Sequence, residues 1–174
     1  MPLELLKTVL SVPINPFEIT VENWNEVEMK LGSRLPSDYK EFISCYGTGG
    51  IDDFLFVLNP VAKNKYMNLF SRIDSLKQSS AISKQMFETD FIPSLFPENN
   101  GFLPFAYTAN GDDLYWATIG EPDEWPVVVF ESRSPEKEQF NINMTGFLIG
   151  ILTRNITCEV FPDDAFDDPP LFSP

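Results

Sequence analysis

Carboxylates are the one reactive side-chain class that this sequence holds in quantity, with 26 Asp and Glu against 12 Lys and Arg. Adjacent acids could serve as general acid and base or hold a divalent cation. Asp112-Asp113 and Asp123-Glu124 are such pairs, and Asp163, Asp164, Asp167 and Asp168 crowd residues 161–174. Asp112 and Asp113 fall in a stretch that reads as strand, so they point to opposite faces and cannot converge on one atom. The four later aspartates lack the central Gly and terminal Glu of an EF-hand loop. Solvated surface is therefore favoured for all of them over catalysis or a metal site. The chain has no histidine, which removes Ser-His-Asp and Cys-His nucleophile activation, imidazole proton shuttles and every His-ligated metal site. Gly47-Thr48-Gly49-Gly50 lacks the Lys-Ser/Thr of a phosphate loop and follows a helical pattern where a strand is needed. No catalytic residue, cofactor or metal ligand is assigned, and binding without bond-making is the expectation. A carboxylate-dependent hydrolase is the alternative, which loss of an activity in a folded Asp→Asn variant would revive.

Trp116 and Trp125 stand close in sequence to Asp112, Asp113, Glu121, Asp123 and Glu124. Exposed tryptophans ringed by acids would suit a partner rich in Lys and Arg, which makes these seven the candidate partner-binding residues. The competing reading puts Trp116 in the core and Trp125 over a loop. Trp24, Tyr39, Phe42 and Tyr46 repeat at helical spacing and belong to the core.

The elements that must position these residues are helical first and extended later. Residues 1–19, with Pro2, Pro13 and Pro16, read as an irregular arm containing at most a short helical turn. Val21, Trp24, Val27 and Leu31 form a helix that Thr20 can cap and Gly32 can close. Pro36 opens a second helix carrying Tyr39, Phe42, Ile43 and Tyr46, and the glycine tetrad after it reads as a turn. Residues 54–58 are a continuous apolar run that suits a strand covered on both faces. Tyr66, Leu69, Phe70, Ile73 and Leu76 start a third helix, expected to reach about Phe87. Asn110-Gly111 then joins strands 102–107 and 114–119 as a hairpin. Residues 127–130 form the next strand, Phe140 and Ile142 suggest one more, and 145–154 read as a last helix. Such an order predicts an α+β domain in preference to a doubly wound sheet, with the later strands as a β-meander. Residues 20–158 form that domain, and residues 159–174, with Pro162, Pro169, Pro170 and Pro174, form a loosely held acidic tail.

A chain of 174 residues that is 43% hydrophobic and contains 16 Phe can bury one substantial core. Its net charge is −14, and after residue 99 only Arg133, Lys137 and Arg154 offset the acids. Such a field repels phosphate backbones, so direct nucleic-acid binding is not expected and a basic protein partner is. Solubility alone is the other explanation of the charge. Cys45 and Cys158 read as buried free thiols of a reducing compartment. The apolar run 147–152 is too short to cross a bilayer, and Lys7 interrupts the only stretch resembling a signal. A cytoplasmic protein without a membrane partner is the expectation, with monomer and weak dimer both open.

Leu31-Gly32-Ser33-Arg34-Leu35-Pro36-Ser37-Asp38-Tyr39-Lys40-Glu41-Phe42-Ile43, followed by Tyr46-Gly47-Thr48-Gly49-Gly50, resembles the helix-one to helix-two signature of the SUKH superfamily. Gly101-Phe102-Leu103-Pro104-Phe105-Ala106, Asn110-Gly111-Asp112 and Trp116 are similar to its central hairpin. Trp125-Pro126-Val127-Val128 is similar to its next strand, so the likeness spans residues 20–155. The tetrad Gly47-Thr48-Gly49-Gly50, where an Asn commonly stands, and the acidic tail depart from it. The resemblance implies a single α+β domain with helices packed on a mixed, largely antiparallel sheet, and no catalytic residues. It also implies either an immunity protein that neutralises a cognate bacterial toxin, often a nuclease, or a scaffold akin to the family's fungal regulator of cell-wall synthesis.

Overall fold

The computed structural model describes residues 2–86 and 93–174. Seven strands form one sheet in the order β6-β5-β4-β3-β2-β1-β7. They are β1 (Gly49–Ile51), β2 (Leu55–Val57), β3 (Phe102–Thr108), β4 (Asp113–Ala117), β5 (Val127–Phe130), β6 (Lys137–Phe140) and β7 (Phe172–Ser173). Every neighbouring pair is antiparallel. The parallel contacts are isolated bridges, Asn59 with Asn68 and Leu95 with Phe102. The expected α+β class therefore holds, with the mixed character confined to those bridges.

Among the described residues five α-helices accompany the sheet: α1 (Pro2–Val9), α2 (Trp24–Leu31), α3 (Ser37–Tyr46), α4 (Leu69–Met86) and α5 (Met144–Leu152). On one sheet face Tyr39, Phe42, Phe105, Trp116, Val127, Val129, Phe147 and Leu148 share a single buried cluster. Arg72 of α4 reaches Asp113 on the other face, where Phe102, Tyr115 and Phe130 pack edge to face. No helix among the described residues is long and apolar enough to cross a membrane.

Several local expectations change. Helix α2 is capped by Asn23 and not by Thr20: Asn23 Oδ1 accepts from the amides of Asn25 and Glu26 at 3.1 and 3.4 Å, while its Nδ2 donates to Glu26 Oε1. Tyr66 is exposed and precedes α4, and Phe87, the expected end of that helix, lies outside the described residues. The glycine tetrad is only in part a turn. Gly47 turns the chain at φ +70°, where a Cβ would meet the Phe17 carbonyl oxygen at 2.1 Å. Gly49 already belongs to β1, where a Cβ would meet the Ser173 carbonyl oxygen at 2.3 Å, so close strand packing demands it.

Neither end of the chain is loosely attached. Leu3, Leu6 and Leu10 are buried, and Tyr46 Oη donates to the Leu10 carbonyl at 2.6 Å. The first half of the expected irregular arm is thus helix α1, held by an apolar repeat at spacing 0, 3 and 7, while residues 10–19 are irregular as expected. At the other end β7 adds to β1, and Asp52 accepts from the amides of Asp167 and Leu171 at 3.1 and 2.8 Å. Phe172 is buried against Phe42 and Tyr46. The loosely held tail is corrected accordingly: aromatic residues spaced among its prolines and aspartates anchor it.

Candidate protein-binding surface

The seven candidate residues divide into a structural set and a surface set. Trp116 is fully buried on β4, stacked on Phe105 with centroids 4.7 Å apart and edge-on to Tyr39 at 5.1 Å. Trp125 is also buried, 6.2 Å from Trp116, and its Nε1 donates to the Gly120 carbonyl at 3.2 Å. Neither tryptophan is available as an exposed anchor, because strand alternation sends Trp116 inward and the following loop folds Trp125 over it.

Asp112 is buried at the β3–β4 hairpin. Its Oδ2 accepts from the Thr108 hydroxyl at 2.6 Å and its Oδ1 from the Ser132 amide at 3.0 Å, so it ties this hairpin to the β5–β6 turn. Asp113 lies on the opposite sheet face, paired with Arg72. Burial pushes the Asp113 carboxyl above its ordinary range, and Arg72 pulls it back only in part. Both aspartates are committed to the fold and leave the candidate surface.

Glu121, Asp123 and Glu124 remain exposed together in the β4–β5 connection, the last two within a 3₁₀ turn at Pro122–Glu124. Glu121 pairs with Arg34, which follows α2. Asp123 Oδ1 accepts from the Ser37 amide at 2.6 Å, at the positive end of α3, and this bond holds its carboxyl below the ordinary range. Glu124 projects freely among the described residues. The loop therefore docks on α3 through Asp123, while the Glu121–Arg34 pair stays in solvent beside the α2–α3 connection, and the loop still presents negative charge outward.

Beside this loop lies a concavity of about 710 Å³ lined by Ile119, Asp123, Glu124, Gln139, Ile142 and Asn143, among others. Ile119 is 53% exposed and Ile142 37%. The sequence reading placed both isoleucines in strands and did not name them as candidate binding residues; β4 ends at Ala117 and β6 at Phe140, so both lie just beyond strand ends, where alternation no longer decides burial. An aliphatic floor with an acidic rim can desolvate an apolar side chain and attract a basic one. Among the described residues no group of three or more His, Cys, Asp or Glu is arranged to hold a metal ion.

The SUKH-like signature has a structural explanation in the same region. Asp38 Oδ2 accepts from the Thr145 amide at 2.8 Å and so caps α5 from α3. Tyr39 Oη donates to the buried Leu58 carbonyl at 2.6 Å. Lys40 pairs with Glu28 of α2; burial opposes the charge on Glu28, but Lys40 and the Leu35 amide outweigh it and hold the carboxyl low. The Asp-Tyr-Lys run thus joins α3 to α5, the sheet and α2, one element for each side chain.

No curated protein and no solved structure matches the chain in sequence or structure comparisons. A family model described as SMI1-KNR4 cell-wall does match, over residues 21–148, and covers both the Asp-Tyr-Lys helix and the β3–β5 meander. On that match and the fold that carries it, this chain belongs to the SUKH family.

Proposed function

We propose that the chain is an immunity-type binding protein that neutralises a cognate bacterial protein toxin in the cytoplasm by covering its active surface. The observation that carries this reading is the exposed carboxylate group Glu121, Asp123 and Glu124 beside the half-exposed Ile119 and Ile142. Family membership supports a role in binding partner proteins. The net charge of −14 favours a basic toxin, of which nucleases are the obvious class, since their substrate grooves must attract phosphate. Complementary charge accelerates capture to about 10⁸–10⁹ M⁻¹s⁻¹ at low salt, and an incoming toxin has to be caught before it acts. A scaffold that recruits partners through residues 161–174 has less support, because Phe161, Phe166 and Phe172 are spent on the core.

The test is co-expression with the product of the neighbouring gene. The reading expects a stable complex and rescued growth. It also expects Glu121→Lys with Glu124→Lys to slow association about tenfold at low salt while melting stays near wild type, both side chains being exposed. Absence of both complex and rescue overturns the reading.

A further inference from the structure

The sheet ends differently at its two edges. On one side β7 is only two residues long and is followed by Pro174. On the other side lies β6, whose outward backbone groups can be read from its register. Val127 faces Phe140 and Val129 faces Glu138, and in that same register the Glu131 amide donates to the Glu136 carbonyl at 3.0 Å. Hydrogen-bonded pairs alternate along an antiparallel ladder, so Glu138 and Phe140 bond to β5. The N–H and C=O of Lys137 and Gln139 therefore point away from the sheet. The neighbouring ladder agrees, since the Ala117 amide takes the Pro126 carbonyl and leaves Val127 and Val129 to serve β6. Among the described residues nothing pairs with those four outward groups, and both residues are exposed.

An edge strand is commonly protected by a lysine whose charge repels an incoming chain. Here the Lys137 ammonium lies back across the sheet, 5.6 Å from the Phe102 ring and 5.4 Å from the Phe130 ring. Its charge is engaged by those aromatic faces and not held over the edge. Glu138 is turned to the helix side, where it accepts from the Val160 amide and the Cys158 thiol. The edge is thus left open by the very side chains that would ordinarily close it.

We propose that β6 is a strand-addition site, at which an extended, Lys- or Arg-bearing segment of a partner protein pairs with Lys137 and Gln139. The charges around it select that occupant. Glu131 and Glu136 stand exposed at one end, and Asp123 and Glu124 stand beside Gln139 and Ile142 at the other. At roughly 3.3 Å per residue the four residues of β6 span about 13 Å, so an extended segment of five or six residues reaches past both ends and can set a basic side chain against the acids at each. An apolar side chain near one end would enter the recess of Ile119 and Ile142. Pairing with a second copy is disfavoured: antiparallel about Glu138, it would set Glu131 and Glu136 of one copy against Asp123 and Glu124 of the other. Main-chain bonds give such a site affinity, and the flanking pockets give it specificity.

This site deepens the immunity reading and rests on it for the partner's basic character, but its test is separate. The probe is the blocked peptide Lys-Val-Thr-Val-Thr-Lys, titrated into ¹⁵N-labelled protein at low salt. Binding is expected to shift the Lys137 and Gln139 amides and slow their hydrogen exchange. Gln139→Pro removes only an outward N–H and spares the β5 ladder, so it should weaken the peptide about tenfold while Gln139→Ala does not. A peptide N-methylated at alternate residues tests the same bonds on unaltered protein, should Gln139→Pro fail to fold, and is expected not to bind. Equal binding by Gln139→Pro and Gln139→Ala, equal binding by the N-methylated peptide or by one with Glu at both ends, or shifts confined to other regions would overturn the proposal. So would self-association abolished by Gln139→Pro, since a second copy would then be the occupant. If the neighbouring gene's product binds wild type and Gln139→Pro alike, the edge fails and the immunity reading stands. If that product does not bind at all, the immunity reading fails and the peptide still decides the edge.

Discussion

Asp38 shows how much of the family signature is spent on holding elements together. The residue is 8% exposed, one carboxylate oxygen accepts from the Thr145 amide, and the other is buried with no partner among the described residues. A buried acid is tolerated there because it sits at the N-terminus of α5, where backbone amides lack partners within the helix and the dipole is positive. Asp38→Ala removes the acceptor and leaves the Thr145 amide buried, which should cost about 1–3 kcal/mol. Urea unfolding measures this. A variant as stable as wild type would mean that the contact contributes nothing. Cys158 makes the complementary point: burial first, with Glu138 beside it, pushes its thiol up to about 12, so the buried sulfur is a packing residue and not a nucleophile.

At the scale of elements, the tail strand β7 is the feature with the largest structural consequence. Phe172 is 3% exposed, with its ring 5.2 Å from Tyr46 and 6.1 Å from Phe42, and it closes the core at the β1 end of the sheet. Phe172→Ala should cost about 3–5 kcal/mol, as truncating a buried phenylalanine does. Thermal or urea unfolding would register it, and a loss below about 1 kcal/mol would return residues 161–174 to the status of a loose tail. The sequence made α3, the Asn110-Gly111 hairpin and β5 legible because each carries a strong local signal: a 0, 3, 4, 7 apolar repeat, a turn dipeptide, or a run of β-branched residues. It misplaced β6, expected at Phe140 and Ile142 but lying at Lys137–Phe140, where Lys-Glu-Gln-Phe shows no apolar alternation, and it hid β7, whose partner β1 is more than a hundred residues away. The candidate site suffered in the same way. Trp116 and Asp113 are close in sequence to the acidic loop, yet the strand that carries them sends one into the core and the other to the opposite face. Only Glu121, Asp123 and Glu124, which share a loop, were brought together as their sequence proximity implied.

At the scale of the whole molecule, charge predicts how stability responds to salt, and that response should change sign with pH. With a net charge of −14 at pH 7, the folded chain repels itself, and screening relieves a compact state more than an expanded one. Raising NaCl from about 20 mM to about 500 mM should therefore raise the melting temperature at pH 7. Near the isoelectric point of about 4.2 the net repulsion is gone, while specific attractions persist. Glu28 beside Lys40 and Asp123 at the Ser37 amide have folded pKa values below their ordinary 4.5 and 3.8. Their contribution is present above those ordinary values and is lost only as pH falls through the depressed folded ones. Asp113 runs the other way: its raised folded pKa means that folding loses stability as pH rises from 3.8 through the folded value, with Arg72 limiting the loss. Around pH 4.5, then, salt screens attractions that still operate, and the same addition of NaCl should leave the melting temperature unchanged or lower it. Calorimetry at the two pH values and two salt concentrations decides the matter. A melting temperature that falls with salt at pH 7 would mean that paired charges outweigh net repulsion, and the proposed capture of a basic partner would then lose the long-range acidic field on which it draws.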